Sequence, residues 1–110
     1  MKTKVENLLL LAVPRTVANV IDVLSDGKEH SLRDIERKAD LRQPEVSIAI
    51  STLSSYVTVE EKRGDGGRGR PQKFITMNRK AFVDYIKACV VAYKAAYEVS
   101  RDAGEELMRG

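Results

Sequence analysis

The sequence predicts a mainly helical α+β domain with one small β-hairpin and a long C-terminal helix. Three observations carry that reading. Apolar residues recur at helical spacing between Thr16 and Leu53. The period then changes to two over Tyr56–Glu60 and Phe74–Met77. From Arg79 helical periodicity resumes for about 30 residues, interrupted by a single late glycine, Gly104.

Taken in order, Val17, Val20, Ile21 and Leu24 fall at i, i+3, i+4 and i+7, which marks an amphipathic helix. Pro14 suits its first turn, where a missing N–H costs nothing, and Ser25-Asp26-Gly27 ends it. Glu29-His30 reads as a short extended link. Ser31 opens a second helix, with Asp34 three residues on in a capping arrangement and Leu32, Ile35 and Ala39 facing inward. After the turn Asp40-Leu41-Arg42, a third periodic helix runs from Gln43-Pro44 to about Tyr56 on the spine Val46, Ile50, Leu53. Tyr56–Glu60 alternates and is rich in β-branched residues, so it reads as a strand. Phe74–Met77 is its expected partner across a glycine-rich connection.

That connection, KRGDGGRGRPQK over Lys62–Lys73, gathers the charge of the chain. Residues 61–80 carry seven Lys/Arg against two acidic groups, a local balance of +5, while the other 90 residues balance to −2. The protein reads as a nearly neutral body with one basic projection, the pattern of a local polyanion contact. Elsewhere composition is ordinary: 110 residues, 43% hydrophobic and 32% charged, enough for one modest core. The apolar run Leu8–Val13 is too short for a membrane span, and Pro14-Arg15-Thr16 is not a leader cleavage site. One cysteine, Cys89, permits no internal disulfide and suits a reducing compartment, so a cytoplasmic, nucleoid-associated location is expected.

The order helix, short strand, helix, helix, strand, loop, strand is the winged helix-turn-helix arrangement. The segment Leu41–Leu53, with its Gln43-Pro44-x-Val46-Ser47 run, resembles the recognition-helix segment of the ArsR and MarR families and their small archaeal relatives. The resemblance spans roughly residues 14–78. It implies double-stranded DNA as partner, with the third periodic helix in the major groove and the hairpin as wing. With Val46, Ile50 and Leu53 inward, the outward candidates are Arg42, Gln43, Ser47, Ile48 and Ser51. Gln43 suits adenine, Arg42 guanine or phosphate, the serines base edges or phosphate, and Ile48 a thymine methyl. Glu45 can accept from cytosine. Between Pro44 and Tyr56 there is no Lys or Arg, unlike many relatives, which moves binding weight to the wing.

Arg68-Gly69-Arg70-Pro71 is similar to the core of the AT-hook, a minor-groove motif. A narrow A·T groove concentrates negative potential and attracts arginine. Gly67 and Gly69 let backbone approach the groove walls without a Cβ, Pro71 keeps the exit extended, and Arg68 and Arg70 are the inserted groups. Lys62, Arg63 and Lys73 are expected on phosphates. The competing reading of the wing is a solvated basic loop.

In the last helix Phe82, Ile86, Cys89, Tyr93, Ala96 and Ser100 follow the spacing of a coiled-coil seam, extended by Ala103 and Leu107. Such a helix outreaches a small body, and its surplus apolar face predicts a homodimer about a two-fold axis. Domain organisation then reads as 1–13, a helical segment added to the dimer interface; 14–78, the DNA-binding head; and 79–110, the dimerisation helix. The alternative is a monomer with this helix folded back. Cys89 reads either as a small buried hydrophobe or as a thiol at the dimer axis. His30, the only histidine, reads as a short-strand residue without function.

One Cys and one His give no four-ligand metal site, and no catalytic set or phosphate-binding loop is spaced for chemistry, so no enzyme and no cofactor are expected. Two classes compete. One is a dimeric sequence-preferring regulator. The other is a winged-helix module used as an architectural DNA protein, an RNA-binding module or an adaptor. An adaptor has no use for Arg-Gly-Arg-Pro, and the deep, narrow major groove of RNA excludes a helix.

Overall fold

Among the residues that the computed structural model describes, 2–63 and 71–109, five helices and three strands follow one another. They are α1 (Lys4–Leu10), α2 (Arg15–Leu24), β1 (His30–Ser31), α3 (Leu32–Ala39), α4 (Gln43–Thr52), β2 (Thr58–Lys62), β3 (Gln72–Thr76) and α5 (Arg79–Arg109). This is an α+β winged helix carrying a long C-terminal helix.

Local chemistry sets the helix ends. Thr3 caps α1 by accepting from the Glu6 N–H at 3.1 Å, and Ser31 caps α3 by accepting from Asp34 N–H at 3.1 Å. Asn78 Oδ1 accepts from Ala81 N–H at 2.7 Å and starts α5. Pro14 stands just outside α2 as its N-cap, and its carbonyl takes the Ala18 N–H. Gly27, at φ 75°, makes the left-handed turn after α2, where its N–H returns to the Leu24 carbonyl. Among the described residues, two non-glycine residues also adopt positive φ: Asp40 at the end of α3 and Ala12 between α1 and α2.

The expected inward faces of α2 and α3 hold. Val17, Val20, Ile21, Leu24 and Ile35 are all buried, and Leu32 and Ala39 lie at the margin. The core closes around Ile21, Leu24, Ile35, Val46, Leu53, Ile75 and Met77. Burying each large side chain is worth roughly 1.5–3 kcal/mol, enough in sum to order these short helices, which are marginal alone.

The structure differs from the sequence reading at several points: β2 is Thr58–Lys62 rather than Tyr56–Glu60, and β3 is Gln72–Thr76 rather than Phe74–Met77. α4 stops at Thr52, because Leu53–Tyr56 form turns that bury Leu53 and stack Tyr56 edge-on against Tyr85, 5.2 Å between ring centres. Ala49 rather than Ile50 occupies the inner row of α4, and Ile50 is half-buried at the edge. The hairpin belongs to a three-stranded antiparallel sheet ordered β1-β3-β2, where His30 pairs with Ile75 and Ser31 with Phe74. A two-residue strand leaves too little periodicity to be read from sequence.

α5 is 31 residues long and draws the molecule out to 70 × 27 × 26 Å. Its first three turns pack on the head through Phe82, Tyr85, Ile86 and Cys89. Burial pushes the Tyr85 hydroxyl pKa far above its usual value.

Candidate nucleic-acid interface

Helix α4 separates its residues cleanly. Val46 and Ala49, with Leu53 just past its end, are buried, whereas Gln43, Ser47, Ile48 and Ser51 are exposed, Ile48 at 67%. Gln43, Ser47 and Ser51 sit four residues apart and therefore form one row along the helix. A large apolar side chain so exposed beside that row gives the face one apolar feature among polar ones.

The helix start is also organised. Glu45 Oε1 accepts from the Arg42 backbone N–H at 3.1 Å, which secures the first turn. Arginine has no acceptor, so the reciprocal bond of a full capping box is missing and the Arg42 guanidinium is exposed. Glu45 is half-buried in this role. The carboxylate expected to reach a base therefore already holds a backbone amide.

Beside α4 lies a groove of about 210 Å³ lined by Leu32, Ser47, Ile50, Ser51, Val59, Lys73 and Ile75. The sheet register explains it: Val59 pairs with Ile75 and Glu61 with Lys73, and this alternate set shares one sheet face. Residues expected from opposite parts of the chain, two helix serines and a wing lysine, thus line one groove. Lys62 belongs to the other set. Its ammonium is 2.7 Å and 3.0 Å from the two Glu29 carboxylate oxygens and lies 5.3 Å from the Phe74 ring centre. Hydrogen bonding to Glu29 raises its pKa above the usual lysine value. Of the expected phosphate ligands, Lys73 stands beside α4 and Lys62 is already ion-paired; Arg63 is exposed. Pro71 is exposed, and Gly67, Arg68, Gly69 and Arg70 lie outside the described residues.

His30 lies in the short strand β1, as expected, and it is also a structural centre that the sequence did not reveal. It is 5% exposed, with Nδ1 2.7 Å from Asp34 Oδ2 and Nε2 2.9 Å from Asp26 Oδ2. A neutral imidazole has one donor nitrogen, and carboxylates only accept, so two such contacts require the imidazolium. Burial alone would lower the His30 pKa; the bonds to Asp34 and Asp26 outweigh it and raise it. The bond to His30 leads the effects that hold Asp34 down at about 2, with help from Arg37 and Lys38. For Asp26, burial acts upward, but the Lys28 N–H and His30 prevail and its pKa is lowered. The cluster ties the end of α2, strand β1 and the start of α3 together, and β1 holds β3, so it fixes the hairpin beside α4. Asp26, His30 and Asp34 are spaced by four residues, but that spacing crosses turn, strand and helix and gave no helical signal.

The seam expected along α5 divides in two. Phe82, Ile86 and Cys89 pack on the head of their own chain, with Val5, Leu9 and Leu11 of the N-terminal segment in the same cluster. Tyr93, Ala96 and Ser100 are exposed, as is nearly all of α5 beyond Val90. No described helix is long and apolar enough to cross a membrane.

No protein-family model matches the chain, and no curated protein matches it. Solved structures do. A possible transcriptional regulator from Methanosarcina mazei Go1 superposes with a TM-score of 0.59 at 15% identity, covering 99% of this chain and 90% of that one. NadR, solved in complex with 4-hydroxyphenylacetate, superposes with a TM-score of 0.53 at 15% identity, covering 93% of this chain and 73% of that one. The chain therefore shares the fold of these two structures, a winged-helix head on a long C-terminal helix.

Proposed function

We propose that this protein is a homodimeric, non-catalytic DNA-binding regulator of the kind the ArsR and MarR families contain. The groove that joins Ser47 and Ser51 of α4 to Lys73 of β3 carries the reading. It offers two hydroxyls and one ammonium to a DNA phosphate while Gln43 and Ile48 remain exposed for base edges. Arg42 adds a cation at the helix start. Arg68 and Arg70, with Gly67, Gly69 and Pro71, are the minor-groove element of this reading, and Lys73 and Arg63 its phosphate contacts. Lys62 acts by holding the hairpin to Glu29. Dimerisation through the exposed half of α5 places two heads on one DNA face, so the site is a near-palindrome.

A second reading has its own support. The exposed face of α4 between Gln43 and Thr52 carries no Lys or Arg, and Glu45 is engaged at the cap. A protein that binds through wing and phosphates alone would coat A·T-rich DNA without reading sequence. Selection of bound duplexes from a random pool near physiological salt separates the two, since non-specific phosphate binding weakens there. A palindrome with A·T-rich flanks supports the regulator. A pool enriched only in A·T content supports the architectural protein, and no retained DNA refutes both.

A further inference from the structure

We propose that two copies pair through the projecting halves of α5 in an antiparallel register centred on Ser100, an inference that rests on the dimer reading above. The exposed stretch of α5 runs from Val91 to Arg109, and its midpoint is Ser100. Pairing two such stretches antiparallel about that point covers the whole exposed length of both, about 28 Å at 1.5 Å per residue. Any other antiparallel centre either leaves part of each stretch uncovered or drives a helix end into the other head.

The side chains fit that centre. Ala92, Ala96, Ser100 and Gly104 recur every fourth residue and form a low ridge along which two helices approach closely. Residues equidistant from Ser100 lie level across the axis, which sets Tyr93 level with the partner's Leu107. Leu107 and Met108 are each 81% exposed on the last turn. In this register they arrive where Tyr85, Cys89, Ala92 and Tyr93 meet the α1–α2 link Leu11–Pro14, at an apolar recess of about 310 Å³. A parallel partner would instead bring its head level with the first one, along Phe82–Cys89, where the stripe is already occupied by its own chain.

The register is tested by disulfide mapping in the full chain carrying Cys89→Ala. Helices 8–10 Å apart put facing Cα atoms roughly 4–6 Å from each other, within disulfide reach. Ser100→Cys is expected to form a covalent dimer on oxidation with copper–phenanthroline. Ala96→Cys and Gly104→Cys, each alone, are offset from their own copies by about 12 Å along the axis and are expected to stay uncrosslinked. Mixing those two variants is expected to yield the crosslinked heterodimer. The Gly104 substitution is sterically open, since a Cβ there meets nothing within 4 Å. Crosslinking at all three single positions, or a dimer that Ser100→Cys leaves uncrosslinked, overturns the register while leaving the dimer intact. Sedimentation as a monomer at all concentrations overturns the dimer and the register together.

Discussion

Replacing His30 with glutamine keeps a polar side chain of similar reach and removes the charge that satisfies two carboxylates. The loss is that of two charge-assisted hydrogen bonds, 2.7 Å to Asp34 and 2.9 Å to Asp26. Such bonds are worth about 1.5–3 kcal/mol each when shielded and up to about 1 kcal/mol at the surface. Asp34 is 22% exposed and Asp26 41%, so solvent screens both, the second more strongly. Together they argue for about 2 kcal/mol at pH 6. For a domain of this size that lowers Tm by about 8 °C. The effect depends on pH in a definite direction. The His30 pKa is raised by folding, so its contribution is complete below the unfolded value of 6.5 and disappears as pH rises through the folded one. The carboxylates act oppositely: their lowered pKa values stabilise above 3.8, a contribution lost on acidification, for Asp34 through about 2. Thermal melts of both proteins from pH 5 to pH 9 are the assay. The wild-type advantage is expected to be largest near pH 5–6 and to shrink toward pH 9. A constant difference across that range refutes the charged histidine, and no difference at any pH refutes the cluster as a source of stability.

The two hairpin lysines are expected to differ on DNA. Lys73→Ala reduces the slope of log K against log salt by up to about 0.9, whereas Lys62→Ala, whose ammonium is committed to Glu29, changes it less; equal changes contradict the groove as a phosphate seat. Ala12 sits at φ 64°, where a Cβ costs about 1–2 kcal/mol and glycine costs about 0.5–1 kcal/mol in unfolded-chain entropy. Ala12→Gly is therefore expected to stabilise by about 0.5 kcal/mol in urea unfolding, and a loss of stability argues against strain at that link.

Helix existence was legible because the signal is periodic and local. Val17, Val20, Ile21 and Leu24 face inward in the folded chain because a 3.6-residue repeat leaves a helix one apolar stripe to bury. Ser31 as a cap was legible for the same reason, since its partner is three residues away. Boundaries were less so. Nothing near Ser54 announces that α4 has ended; Tyr56 leaves the helix because a ring more than two dozen residues later is there to receive it. Among the candidate site residues, the outward row Gln43, Ser47, Ile48 and Ser51 followed from the inward one. The engagement of Glu45 with a backbone amide and of Lys62 with Glu29 did not.

By itself the sequence determined the helices, the β-hairpin, the basic wing composition and the surplus apolar face of α5, since each rests on the order and type of neighbouring residues. Tertiary structure alone decided which charges are free. Lys62 and Lys73 read alike in the chain, yet sheet register sends one to Glu29 and the other to the α4 groove. His30 looked idle until folding brought Asp26 and Asp34 to its two nitrogens. Folding also divided the α5 seam, covering Phe82–Cys89 with the chain's own head and leaving the rest exposed. Periodicity is written along the chain, whereas the partner of a charge or of an apolar face is a matter of distance across space, and only the packed core sets that distance.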